Sequence, residues 1–235
     1  MSAIDSLIPI IKRRRRVSIP SLTQPTVLNS NLWQDDVDTG GAPDDISWTT
    51  PSGTDLLICF HCGERGTPYP APSWNGSAMT KITEHAYNNG SVDLQTVAAY
   101  YLAAPSIGTY TLELGTFTFA AHGAVHTILV ALDNASASGI TTAQQNGASG
   151  TSPLSMSMTP TAATDILLHA CSRNDSQAFS GSNNTLLNGT EGGLYRCKAA
   201  VASYLPTNTN ARACEFSWIG STESYAHLGL IIHGV

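Results

Sequence analysis

Residues 97–114, VAAYYLAAPSIGTYTLEL, decide the fold. Tyr110, Leu112 and Leu114 alternate with Thr109, Thr111 and Glu113, the two-residue period of a strand with one wet face. Before them, residues 97–103 are apolar almost throughout, as in a strand covered on both sides. Between the two arms Pro105 has no N–H to give a ladder and Gly108 accepts a positive φ, so Pro-Ser-Ile-Gly reads as a turn closing a hairpin. The stretch predicts an all-β chain. Its first arm should lie deep in a sheet, and its second should show Thr109, Thr111 and Glu113 to water or to a neighbouring subunit.

The same grammar extends outward from this stretch. Upstream, residues 55–62 (DLLICFHC) form an apolar run bounded by Pro51-Ser-Gly and Gly63, and Trp74-Asn-Gly-Ser reads as two short strands joined by an Asn-Gly turn. Downstream, residues 117–132 supply two more strands, Leu154, Met156 and Met158 mark a half-wet strand, and residues 165–171 (DILLHAC) echo DLLICFHC. Three closing strands follow within residues 195–204, 211–219 and 226–233. Residues 134–152 and 172–193 are polar and small, and read as long loops. The expected fold is an antiparallel β-sandwich of ten to twelve strands in two sheets, jelly-roll-like, over residues 46–235.

Residues 1–45 read differently, as an extended N-terminal arm. A short apolar segment, residues 6–12, runs into Lys12, Arg13, Arg14, Arg15 and Arg16. A Pro-punctuated run, residues 17–25, and an acidic loop with Asp35, Asp36, Asp38, Asp44 and Asp45 follow. Trp33 interrupts this polar stretch as a ring that docks on its own domain or on a neighbour.

The chain of 235 residues has a net charge of −6. Five of its eleven basic residues lie between Lys12 and Arg16, so residues 17–235 keep six basic against sixteen acidic side chains (seventeen less Asp5), a balance of −10. That surface is wrong for nucleic acid, whereas the arm suits an acidic partner. No apolar run is long enough for a membrane helix, and no secretory leader is read. Five cysteines fit folding in a reducing cytoplasm rather than a disulfide scaffold.

Candidate chemistry is thin. Cys59 and Cys62 resemble a metal pair, but residues three apart on a strand point to opposite faces. Asp38-Thr39-Gly40 matches an aspartic-protease triplet without the apolar strand or the second carboxylate that this chemistry needs. His61, His122, His126, His169 and His227 fall in or beside strand cores, and Glu84, Glu113, Glu191 and Glu215 are scattered rather than paired. No catalytic residue, metal or cofactor is assigned. Tyr69 and Trp74, in or next to loops, are the candidate glycan contacts.

Residues 54–59 (TDLLIC), 74–80 (WNGSAMT), 100–112 (YYLAAPSIGTYTL) and 164–171 (TDILLHAC), in that order, resemble a family of jelly-roll, concanavalin-like sandwich domains common in bacteriophage virion proteins. The resemblance covers residues 46–235. It implies display on a virion rather than a reaction: a capsid decoration, cement or head-fibre subunit made in the host cytoplasm. Lys12, Arg13 to Arg16 and Trp33 would then form an attachment arm for the major capsid protein or another virion protein. Homo-oligomerisation is expected with it, a trimer being one form. The alternative is a receptor- or carbohydrate-binding domain of a tail fibre or surface protein.

Overall fold

The computed structural model describes residues 22–37, 44–64, 69–87, 95–115, 123–147, 152–174, 178–189, 197–220 and 224–235, which form strands, bends and turns without a helix. The first half of the fold runs β1 (Thr26–Val37), β2 (Ile46–Thr50), β3 (Leu56–Glu64), β4 (Ser73–Trp74), β5 (Ser77–Ala78), β6 (Thr80–Tyr87), β7 (Gln95–Ala103), β8 (Gly108–Glu113) and β9 (Gly123–Asp133). The second half runs β10 (Thr141–Gly147), β11 (Leu154–Met158), β12 (Ile166–Asn174), β13 (Phe179–Ser182), β14 (Thr185–Gly189), β15 (Cys197–Tyr204), β16 (Arg212–Trp218) and β17 (Tyr225–Ile232).

The two halves repeat one topology. The first builds a five-stranded sheet, β1-β9-β3-β7-β6, and the second builds β10-β17-β12-β15-β14. Each half adds a smaller sheet, β2-β8-β4-β5 in one and β11-β16-β13 in the other. Register agrees as well: Leu56 opposes Leu132 as Ile166 opposes Ile232. β6 is bulged between Lys81 and Thr83, opposite Tyr100 and Ala99. β14 is bulged between Leu186 and Asn188, opposite the matching Ala202 and Val201. The echo between DLLICFHC and DILLHAC is thus the central strand of each half, β3 and β12.

Alternation along those strands explains the layering. Leu56, Ile58, Phe60 and Cys62 face Ile166, Leu168, Ala170, Ala226, Leu228 and Leu230 across the space between the two large sheets, in one continuous buried cluster. The opposite faces carry Leu57, Cys59, Tyr100 and Leu129, covered by Trp48, Trp74 and Leu112 of the first small sheet. In the second half Cys171, Ala200 and Leu167 are covered by Phe216, Trp218, Met156 and Cys214. Both central strands are apolar on both faces because each lies inside a four-layer stack. At the stack's two edges β1 lies against β14 and β6 against β10. Asn188 Nδ2 donates to Ser30 Oγ at 2.7 Å, and Gln144 Nε2 donates to Thr83 Oγ1 at 3.1 Å. Asn188 and Thr83 occupy matching positions, so one quasi-two-fold relation ties both edges.

The all-β sandwich expected from the sequence is present, with several differences in detail. Residues 97–114 are not a hairpin: β7 pairs with β3 and β6, whereas β8 pairs with β2 and β4 in the next layer. Residues 104–107 carry the chain between layers. They are held there by Ala104 N donating to Asp55 O at 2.8 Å and by Trp74 Nε1 donating to Ser106 O at 3.1 Å. The contrast between the arms holds: β7 is mostly buried, and Thr109, Thr111 and Glu113 are exposed. Four sheets replace the expected two. The strand grammar also starts before residue 46, since β1 pairs along β9 and makes residues 26–37 an edge of the large sheet rather than part of an arm. Likewise β10, β13 and β14 occupy stretches that read as loops.

Candidate functional site

The two ends of the described chain meet at one pole of the stack. Thr23 N donates to Val235 O at 2.6 Å and Val235 N to Asn134 O at 3.1 Å. Gln24 Nε2 donates to the carbonyls of Ala163, Asp165 and Pro206 at 3.0–3.1 Å. Gly234 permits the approach, because a Cβ there would meet Thr23 O at 2.0 Å. Beside it the buried Asp165 accepts from Thr161 N at 2.7 Å, Ala162 N at 2.9 Å, Thr161 Oγ1 at 3.0 Å and His233 Nδ1 at 2.8 Å. His233 Nε2 donates to Gly139 O at 2.9 Å. With both ring nitrogens donating, the imidazolium is favoured. The Asp165 hydrogen bond raises the His233 pKa against a smaller opposing effect of burial. Burial alone would raise the Asp165 pKa, but the bonds from His233, Ala162 and Thr161 together hold it below the usual carboxylate range. This lock fixes the point where residues 1–21 join the domain.

Next to the lock runs an apolar groove of about 580 Å³, between the start of β1 and the β14–β15 edge. Val27, Ile166, Leu187, Tyr204 and Leu205 line it, with Ser203 at its wall. Leu205 is 45% exposed and Leu186, next along β14, 39%.

A second cavity, about 330 Å³, lies in the first half beside the half-buried Trp33, with Asp44, Asp45, Ser47 and Thr127 on its wall. Trp33 meets Trp48 edge-on, with ring centroids 6.3 Å apart, so the ring expected to dock does so on its own domain. Asp45 Oδ1 accepts from Leu114 N at 3.2 Å, which fixes one carboxylate at the rim.

Among the described residues, Tyr69, Trp74, His61, His126, His169, His227 and the cysteines are internal. Tyr69 is 2% and Trp74 0% exposed, so neither ring offers a face to a sugar, correcting the expectation from sequence. Their loop positions misled because the corner at residues 104–107 folds over Trp74, and Tyr69 lies buried within the same cluster. Cys59 and Cys62 point to opposite faces, as the strand period requires. All five thiols are free and buried, and burial pushes the Cys197 pKa up to about 12 and that of Cys214 to about 11.

Between the large sheets, Ser172 Oγ donates to Gln95 Oε1 at 2.7 Å, and His126 Nε2 donates to Cys197 O at 3.1 Å. On the outer face of the second half, Asn184 Nδ2 donates to His169 Nε2 at 2.8 Å and His169 Nδ1 to His227 Nε2 at 3.0 Å, which leaves the His227 proton on Nδ1. Burial lowers the pKa of His126 to about 4 and of His227 to about 3, and holds His169 well below the usual range. The Arg173 guanidinium lies buried 4.6 Å from the Phe179 ring and 4.8 Å from that of Trp218. Glu84, Glu113 and Glu215 stand on three different sheets. Among the described residues no three metal-ligating side chains gather.

Lys12, Arg13, Arg14, Arg15 and Arg16 lie outside the described residues, as do Asp38-Thr39-Gly40, His122 and Glu191. Comparison with known protein families, curated proteins and solved structures returned no match.

Proposed function

We propose that the protein is a structural component of a bacteriophage particle, a capsid decoration, cement or head-fibre subunit of the jelly-roll kind, fastened through its N-terminal arm. The observation that carries this reading is the pole. The domain of net charge −10 is closed around its core, and the segment bearing Arg13 to Arg16 joins it at one locked point, Thr23–Val235. Opposite charge on arm and domain directs the arm to an acidic surface and turns the domain away from it. The partner is the major capsid protein or another virion protein, and copies of the chain associate with one another on the particle. Labelled electron microscopy and peptide counting on purified particles test this. The chain should be found on the outer shell at fixed stoichiometry, and its absence from particles refutes the reading.

A second reading, glycan recognition, is favoured by the Trp33 cavity, where one half-buried aromatic wall stands beside the fixed Asp45 carboxylate and the exposed Ser47. Sugar rings stack their C–H face on such a wall and bond its rim. Under this reading a glycan array gives signals that Trp33→Ala abolishes and Trp74→Phe leaves intact. An array with no signal removes it.

A further inference from the structure

The quasi-symmetry of the halves makes the β1–β14 groove conspicuous, because its counterpart at the other edge is filled. Ser203 opposes Leu168 on β12, and the matching residue of the first half, opposing Ile58 on β3, is Tyr101. Tyr101, with Ile82 and Ile140, packs onto the central core at the β6–β10 edge. Where the first half has a phenol ring, the second has a hydroxymethyl group and a groove of about 580 Å³ lined by Val27, Leu187, Tyr204 and Leu205. An aliphatic insert of a few side chains would restore the symmetry of packing.

We propose that this groove is the seat of the chain's own apolar segment, residues 7–11 (Leu-Ile-Pro-Ile-Ile). Three observations select that occupant. The described chain begins at Leu22, four residues before Thr26 on the groove wall. Ten residues separate Ile11 from Leu22, eleven Cα–Cα steps that reach up to about 36 Å, so the return path is available. Residues 7–11 are also the one run of four aliphatic side chains in residues 1–21, and Pro9 within them opposes a helix. Further along β1, the N–H groups of Ser30 and Leu32 are taken by Asn29 Oδ1 and Asn31 Oδ1 at 2.9 Å, so the strand caps its own edge there. Seated this way, the segment would present Arg13 to Arg16 as a loop tethered at both ends, a consequence that rests on the attachment reading above.

Photo-crosslinking in the full chain tests the seat. p-Benzoylphenylalanine placed at the exposed Leu205, and in a second protein at the exposed Thr185, should on irradiation join the tryptic peptide of residues 1–12 at monomer mass. The adduct should fall at least tenfold when Ile8 and Ile10 are both changed to Asp. An adduct to residues 1–12 only at dimer mass overturns the proposal in favour of a neighbouring copy's segment. No adduct to residues 1–12 from either position, or an adduct unchanged in Ile8→Asp/Ile10→Asp, overturns it outright. None of these outcomes depends on shell binding, so failure here and failure of the attachment reading are separate results.

Discussion

The two halves share strand order, register and one bulge position, yet they fill equivalent places with different chemistry. Phe60 of β3 corresponds to Ala170 of β12, and Leu129 of β9 to Gly229 of β17. Around Gly229 the volume comes from the other layer, since a Cβ there would meet Met158 Sδ at 2.5 Å and Met156 Cε at 2.7 Å. Beneath the small sheets the first half sets His61 against Thr127 at 3.1 Å, whereas the second aligns Asn184, His169 and His227. Topology is therefore held by backbone pairing and by total core volume, and the individual side chains are free to trade volume between layers. The places where such a trade is incomplete, the groove beside Ser203 and the cavity beside Trp33, are where a ligand or a segment has room.

The largest test of this comparison is at its centre. Phe60→Ala should lower stability by about 3–5 kcal/mol, read from urea unfolding, whereas Ala170→Phe at the matching site should cost only about 1–3 kcal/mol by overpacking. Equal costs would mean that the halves are interchangeable there.

Acid should separate the halves next. Histidines whose folded pKa is lowered stabilise fully above the ordinary value near 6.5 and lose that contribution as pH falls below it, because the unfolded chain takes up the protons. For His126 the loss runs from pH 6.5 to about 4 and is on the order of 3 kcal/mol. For His227 it continues to about 3. The Asp165–His233 lock behaves differently. His233, raised, contributes below pH 6.5 and loses this as pH rises through its folded pKa, whereas Asp165, lowered, contributes above pH 3.8 and loses it as pH falls through its own. At pH 5 β12 and β17 are burdened by two such histidines, His169 and His227, whereas β9 carries one, His126. Hydrogen exchange should therefore show β12 and β17 opening before β3 and β9, and uniform opening would contradict this.

Two smaller effects sharpen the picture. Gly229→Ala should cost about 1–3 kcal/mol, limited because the atoms it meets end flexible methionine side chains. Asn188→Ala and Thr83→Ala each remove one edge tie and should cost about 1 kcal/mol, additively because they lie on opposite edges. Thermal melts of the single and double variants check this.

What the sequence disclosed follows the same physics. DLLICFHC and DILLHAC were legible as strands because a strand buried on both faces leaves an uninterrupted apolar run. Strands β1, β10 and β14 were not, since residues such as Asn29, Asn31, Gln144 and Asn188 face water or bond across an edge and so resemble loop composition. The Asn75-Gly76 turn was readable from local chemistry and forms as expected, with both residues at positive φ. Which layer a strand joins was not readable: residues 104–107 look like a reversal, and only the contacts of Asp55 and Trp74 make them a crossing. Tyr69 and Trp74 were misplaced for the same reason. The pole was invisible because Gln24, Asp165 and His233 come together only when the ends of the described chain meet.

The central claim, attachment through the arm, is tested most directly by binding of the full chain to purified phage shells lacking it. Arg13, Arg14, Arg15 and Arg16 are replaced together by Ser, and urea unfolding confirms that the domain is unaltered. The account expects affinity to fall at least tenfold, and the binding of the unaltered chain to weaken steeply with added salt. Equal binding by the Ser variant and the unaltered chain would contradict it.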